Sequence, residues 1–202
     1  MQDASVPTAA ITSYTYNIRG FKTASSDPDT GSWTFTPNSL NELVAQTDNK
    51  SQNITFDYDK LGRLISRLEP ESATPTTWTY GTSAVLHEIG RLKSLSKPDG
   101  YAEAYTFDSI GRLASVTYTE DTTYQVNYTY NSIGAVDLVT YPTSTSGYRL
   151  ALKYLYSYGF LQQVKDNAAG TLFWSLNSAN DYSSPITELL GNAVTITSGY
   201  KP

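Results

Sequence analysis

The chain reads as all-β, a repeat architecture of consecutive β-hairpins forming one twisted antiparallel sheet. Three observations predict it. A glycine-centred motif recurs along the 202 residues, with steps of 21 from position 41 to Gly62 and again from Gly90 to Gly111. A step held near 21 while most side chains vary marks a unit that buries its apolar surface against its neighbours. On both sides of the motif, apolar and polar residues alternate with period two, the pattern of a strand with one face covered. The composition agrees: 39% hydrophobic, only 16% charged and 17 Tyr, a strand-rich rather than a helical or disordered profile.

The units follow in order. In "YTYNIRG", Tyr14 and Tyr16 precede Asn17 and Gly20. "TFTPNSLNELV" fits the same frame with Asn41 in place of the Gly and Pro37 in place of an aromatic. The third unit carries Phe56, Tyr58, Asp59 and Gly62. The fourth ends at Gly90 after a 28-residue step that holds an insertion around "TYGTSAVLHEIG", with His87 and Glu88 departing from the frame. The fifth carries Tyr105, Phe107, Asp108 and Gly111, and the sixth Tyr128, Tyr130, Asn131 and Gly134. A degenerate seventh, "YLYSYGFLQQV", centres on Gly159. Residues 1–12 are thus a lead-in, and 13–202 a repeat region of about seven units.

Turn chemistry explains the fixed letters. Asn17, Asp59, Asp108 and Asn131 each accept a hydrogen bond from the backbone two residues ahead and start a type I turn; the following Gly supplies a left-handed residue. That combination restores the twist of the flanking strands. The Asp is read as a turn-former rather than a catalyst, because Asn replaces it without disturbing the frame. The paired aromatics Tyr14 and Tyr16, Phe56 and Tyr58, Tyr105 and Phe107, and Tyr128 and Tyr130 face one side of the sheet and are expected to form aromatic rows. Leu64, Ser66 and Leu68 are expected to alternate in register behind the turn.

Several function classes fall away. A net charge of -5 and a pI near 4.8 provide no basic field for nucleic acid or an anionic bilayer. The absence of cysteine removes disulfides and thiolate chemistry, and no run is apolar enough for a membrane span. His87 is the only histidine, so a histidine zinc site is excluded and a surface or turn role is expected. The carboxylate pairs Glu69 with Glu71, and Glu120 with Asp121, lie in connections, where charge serves solubility. "DPDTG", "TDNK" and "NSANDY" offer oxygen ligands without the spacing of a calcium cage. No enzyme activity, cofactor or metal is expected.

The pattern aromatic, x, Tyr or Phe, Asp, two residues, Gly, Arg, Leu at 56–64 and 105–113 resembles the YD repeat, also called the Rhs repeat, and the likeness extends from about Tyr14 to Tyr200. The tail from "LFW" through "LGN" is similar to a longer unit of the same proteins. The resemblance to this family, which includes Rhs proteins, the B and C components of insecticidal toxin complexes and teneurins, implies a β-sheet strip coiled into a hollow shell. In the bacterial members the shell encloses a toxic polypeptide. It further implies a secreted or cell-surface location, and as partners the rest of a parent shell and an enclosed toxin or effector. The alternative is an extracellular adhesin, with a glycan stacked on exposed Tyr or on Trp33, Trp78 and Trp174. Open sheet edges are a route to self-association.

Overall fold

The computed structural model describes residues 11–200, and among these there are strands and turns and no helix. The seventeen strands among the described residues are assigned to one sheet. Two compact units divide the described residues: one runs to Thr79 and includes Ser94–Tyr101, the other comprises Tyr80–Lys93 and everything from Ala102 on.

The first unit contains β1 (Ser13–Tyr16), β2 (Lys22–Asp27), β3 (Gly31–Pro37), β4 (Leu43–Thr47), β5 (Asn53–Tyr58), β6 (Leu64–Leu68) and most of β7 (Thr76–Tyr80). From β1 to β7 consecutive strands pair antiparallel. β8 (Leu92–Ser96) follows a long connection. The second unit contains β9 (Ala102–Phe107), β10 (Leu113–Thr119), β11 (Thr123–Tyr130), β12 (Val136–Thr143), β13 (Arg149–Ser157), β14 (Phe160–Asp166), β15 (Leu172–Ala179), β16 (Pro185–Leu190) and β17 (Thr195–Thr197). These too are antiparallel and paired in sequence order.

Reversals therefore alternate between the two ends of the strands, and one repeat is a hairpin plus the turn that leads to the next. The polar clusters weighed as calcium ligands are such turns. Asp27 Oδ1 accepts the amides of Asp29 and Thr30, Asp48 Oδ1 those of Lys50 and Gln52, and Asn180 Oδ1 those of Tyr182 and Ser184. The left-handed position falls to Gly31, Ser51 and Ser183 respectively. Among the described residues no group of three or more metal-ligating side chains occurs.

Two readings are corrected. Behind the turn, strict alternation fails because a bulge recurs there: Tyr58 pairs with Leu64, but Asp57 pairs with Ser66, leaving Ile65 as the extra residue. Leu64 and Leu68 therefore lie on opposite faces, since one inserted residue flips every later side chain. The same shift follows Tyr16, Pro37, Phe107, Tyr130 and Tyr156. The fourth unit is not a hairpin closing at Gly90. Residues 82–88 form no strand, and Val85, Leu86 and Ile89 are exposed. That stretch is the connection from β7 to β8, cinched by Gly81 N–H to Arg91 O at 2.9 Å and Gly90 N–H to Gly81 O at 2.9 Å.

The core is thin. Val116 and Val139 are the buried hydrophobic residues among those described. Val116 stands opposite Tyr105 on one side and Val126 on the other, and Val139 stands between Tyr128 and Leu152. Each buried valine thus has one aromatic and one aliphatic cross-strand neighbour.

Candidate functional site

The repeated element is the turn and the contacts it makes with its neighbours. At Asp59 the carboxylate Oδ1 accepts the amides of Leu61 at 2.8 Å and Arg63 at 3.0 Å. The backbone closes around it, with Gly62 N–H donating to Asp59 O at 3.0 Å and Asp59 N–H to Arg63 O at 2.9 Å. Asp108 repeats the arrangement with Ile110 and Arg112, Asn17 with Arg19 and Phe21, and Asn131 with Ile133 and Ala135. Gly20, Gly62, Gly111 and Gly134 occupy the left-handed region at φ between 74° and 84°. Asn41 occupies it at 69°, which a side chain tolerates only at a cost. Gly90 is also left-handed, at 73°, but in a different turn, where Arg91 N–H donates to Glu88 O.

The other carboxylate oxygen holds the arginine that follows the glycine. Arg63 Nε donates to Asp59 Oδ2 at 2.7 Å, and Arg112 Nε to Asp108 Oδ2 at 2.7 Å. The Arg63 contact, with amide donors behind it, holds the Asp59 carboxyl below its usual range. At Asp108 desolvation pushes upward, and the Arg112 and Ile110 donors outweigh it, so that pKa is lowered as well. Asp27 is driven to about 2 by the Thr12 hydroxyl and the Thr30 and Asp29 amides. Carboxylates engaged in this way are poor proton acceptors.

Arg112, and Arg91 after Gly90, also reach an aromatic ring of the next hairpin. The Arg112 guanidinium lies 4.2 Å from the Tyr130 ring centroid, and that of Arg91 lies 5.2 Å from the Phe107 centroid, within cation–π range. Tyrosine makes the return contact. The Tyr58 hydroxyl donates to Leu43 O at 2.9 Å, Tyr130 to Leu113 O at 2.8 Å and Tyr156 to Val136 O at 2.9 Å. Each acceptor is the first residue of the preceding strand. The ladder between β4 and β5 stops at Ala45 and Thr55, so the phenol satisfies a carbonyl that the ladder does not reach.

Sequence reasoning missed this phenol and the arginine bridge. The signal was present in the choice of Tyr over Phe directly before the turn and of Arg directly after the glycine. Of the remaining aromatics, Phe56 stands opposite Arg67, and Tyr14 and Tyr16 are exposed on β1. Burial raises the pKa of Tyr58, Tyr128 and Tyr154. His87 is exposed at φ 52° and offers its carbonyl to Arg91. Glu88 is buried and paired with Lys93 at 3.1 Å. Trp33, Trp78 and Trp174 are half-buried within strands; Trp33 stacks on Phe35 at 6.4 Å, and Trp174 donates to Glu188.

No protein-family model matches the chain, and no curated protein sequence does. Its fold is similar to part of a solved TcdB2-TccC3-Cdc42 structure, with a TM-score of 0.75 at 16% identity over 94% of this chain and 10% of that one. It is similar also to part of the Photorhabdus luminescens Tc holotoxin pore carrying a TccC3 mutation, with a TM-score of 0.73 at 15% identity over 94% of this chain and 10% of that one. The chain thus spans about a tenth of the length of each.

Proposed function

We propose that the chain is a length of wall: a run of YD-type hairpins contributing to an extracellular β-sheet shell that encloses a toxin or effector polypeptide, with no chemistry of its own. The observation that carries this reading is the fold likeness over 94% of the chain to proteins of Tc toxin assemblies. The turn geometry supports it, because the recurring charged residues are occupied in holding hairpins in sequence order and not in forming a cleft. The adhesin reading has less behind it. Its exposed tyrosines, such as Tyr158 and Tyr182, stand at separate turns, and the three tryptophans are half-buried.

The test is to express the segment within its complete reading frame. Electron microscopy should show hollow particles walled by this hairpin series, with an enclosed polypeptide that added protease cuts only after denaturant opens the wall. Open particles whose other segments are all cleaved at once, or tight binding on a glycan array, would contradict it.

A further inference from the structure

The two ends of the strands carry different surfaces. In the first unit, the turns 38–41 and 59–62 hold Leu40 and Leu61 out in solvent; in the second, the equivalent turns hold out Ile110 and Ile133. These four residues are 65% to 76% exposed. The turns do not need them, since the turn is made by the leading Asn or Asp and the left-handed residue, and polar residues are the rule at such tips. At the opposite ends of the first unit the tips are polar or proline, as at Pro28 with Asp29 and Asn49 with Lys50. Apolar slots open there instead. One groove of about 310 Å³ in the first unit is lined by Trp33, Ile54 and Pro70 together with the carboxylates of Asp48, Glu69 and Glu71. Another of about 420 Å³ in the second unit is lined by Leu172, Phe173, Leu190 and Gly191.

The tips Leu40 and Leu61 stand two strands apart, a spacing of about 9 to 10 Å, so both can engage one partner. The tip edge also has grooves of its own, of about 300 Å³ beside Ile110 and about 320 Å³ beside Tyr158. Charge decides between the arrangements in the first unit. Its tip turns bear Arg19, Lys60 and Arg63 against Glu42 and Asp59, whereas its slot-end turns bear Asp27, Asp29, Asp48, Glu69, Glu71 and Asp99 against Lys50 and Lys97. Like edges repel and unlike edges attract.

We propose that the chain associates with a second copy of itself edge to edge and head to tail, the tips Leu40 and Leu61 of one copy seating in the Trp33, Ile54 and Pro70 slot of the other. Such a contact is heterologous, so a copy bound through its tips still offers its slot. The inference goes beyond the wall reading, which does not require free copies to associate, and the two can fail separately.

Sedimentation equilibrium on the chain tests it, with circular dichroism and thermal melting confirming that each variant is folded. The wild type should assemble with rising concentration. A tip variant, Leu40→Asp with Leu61→Asp, and a slot variant, Pro70→Arg with Glu71→Lys, should each weaken assembly at least about tenfold. Mixed one to one, the two variants should recover a dimer, because the tips of the slot variant and the slot of the tip variant are intact. A chain that stays monomeric would overturn the proposal. So would assembly indifferent to both variants, which belongs to free strand edges, or assembly lost only in the tip variant, which belongs to a tip-on-tip contact.

Discussion

The hydroxyl of Tyr58 donates to the carbonyl of Leu43 at 2.9 Å, linking one hairpin to the strand before it at a point the β-ladder does not reach. Replacing Tyr58, Tyr130 or Tyr156 with Phe leaves the ring in place and orphans one carbonyl. Each change should cost about 0.5 to 1.5 kcal/mol, read as a shift of the urea midpoint with unchanged slope. No shift in any of the three would show that the phenols are ornaments of the surface.

Left-handed glycines set a second expectation. Gly62→Val and Gly111→Val should each destabilise by about 1 to 3 kcal/mol through backbone strain, since an added Cβ would meet only the movable ends of Glu42 and Arg91. Gly20→Val meets strain alone, with nothing within 4 Å of the added atom. The converse change, Ser51→Gly, relieves a φ of 62° and should leave stability unchanged or raise it by up to about 1 kcal/mol. Thermal melts of the four variants check the ranking.

Acid should unlock the turns. Asp27, Asp59 and Asp108 have folded pKa values below the unfolded one, so their contribution is present above the unfolded value and fades as pH falls through the folded one. For Asp27 that window runs from near 4 down to about 2. Stability measured across it should drop, and Asp27→Asn should flatten the slope. An unchanged slope would mean the Thr12 contact does not form.

Alkali acts on the phenols with the opposite sign. Tyr58, Tyr128 and Tyr154 titrate above the ordinary value of 10.0, so their stabilisation is complete below that value and is lost as pH rises through the folded pKa. An ultraviolet phenolate titration of the native chain should show a late-ionising group that Tyr58→Phe and Tyr128→Phe each diminish. Ionisation of every phenol at the free value would refute it.

Hairpins were legible because Asp or Asn and Gly at fixed offset encode one backbone conformation, and because alternation on either side encodes strands. Turns without a glycine were less so. Asp48 with Ser51 and Asn180 with Ser183 use the same chemistry without a glycine, and they read as loose polar clusters. The recurring bulge had no signature, since Leu64, Ile65 and Ser66 fit plain alternation equally well. The stretch before Gly90 misled because "VLHEIG" ends in the right letters, yet its apolar residues have no strand to pair with and stand in solvent. The bonds between hairpins were hidden for a different reason: Tyr58 and Leu43 are 15 residues apart, and nothing local reports that contact.

Within each unit successive hairpins lie side by side in chain order, held by the phenol and, at Arg112, by the turn arginine. Nuclear Overhauser contacts measured on the isotope-labelled chain test it most directly. Ring protons of Tyr58 should show contacts to Leu43, those of Tyr130 to both Leu113 and Arg112, and those of Tyr156 to Val136. Tyrosine rings that touch only residues of their own hairpin would contradict the account.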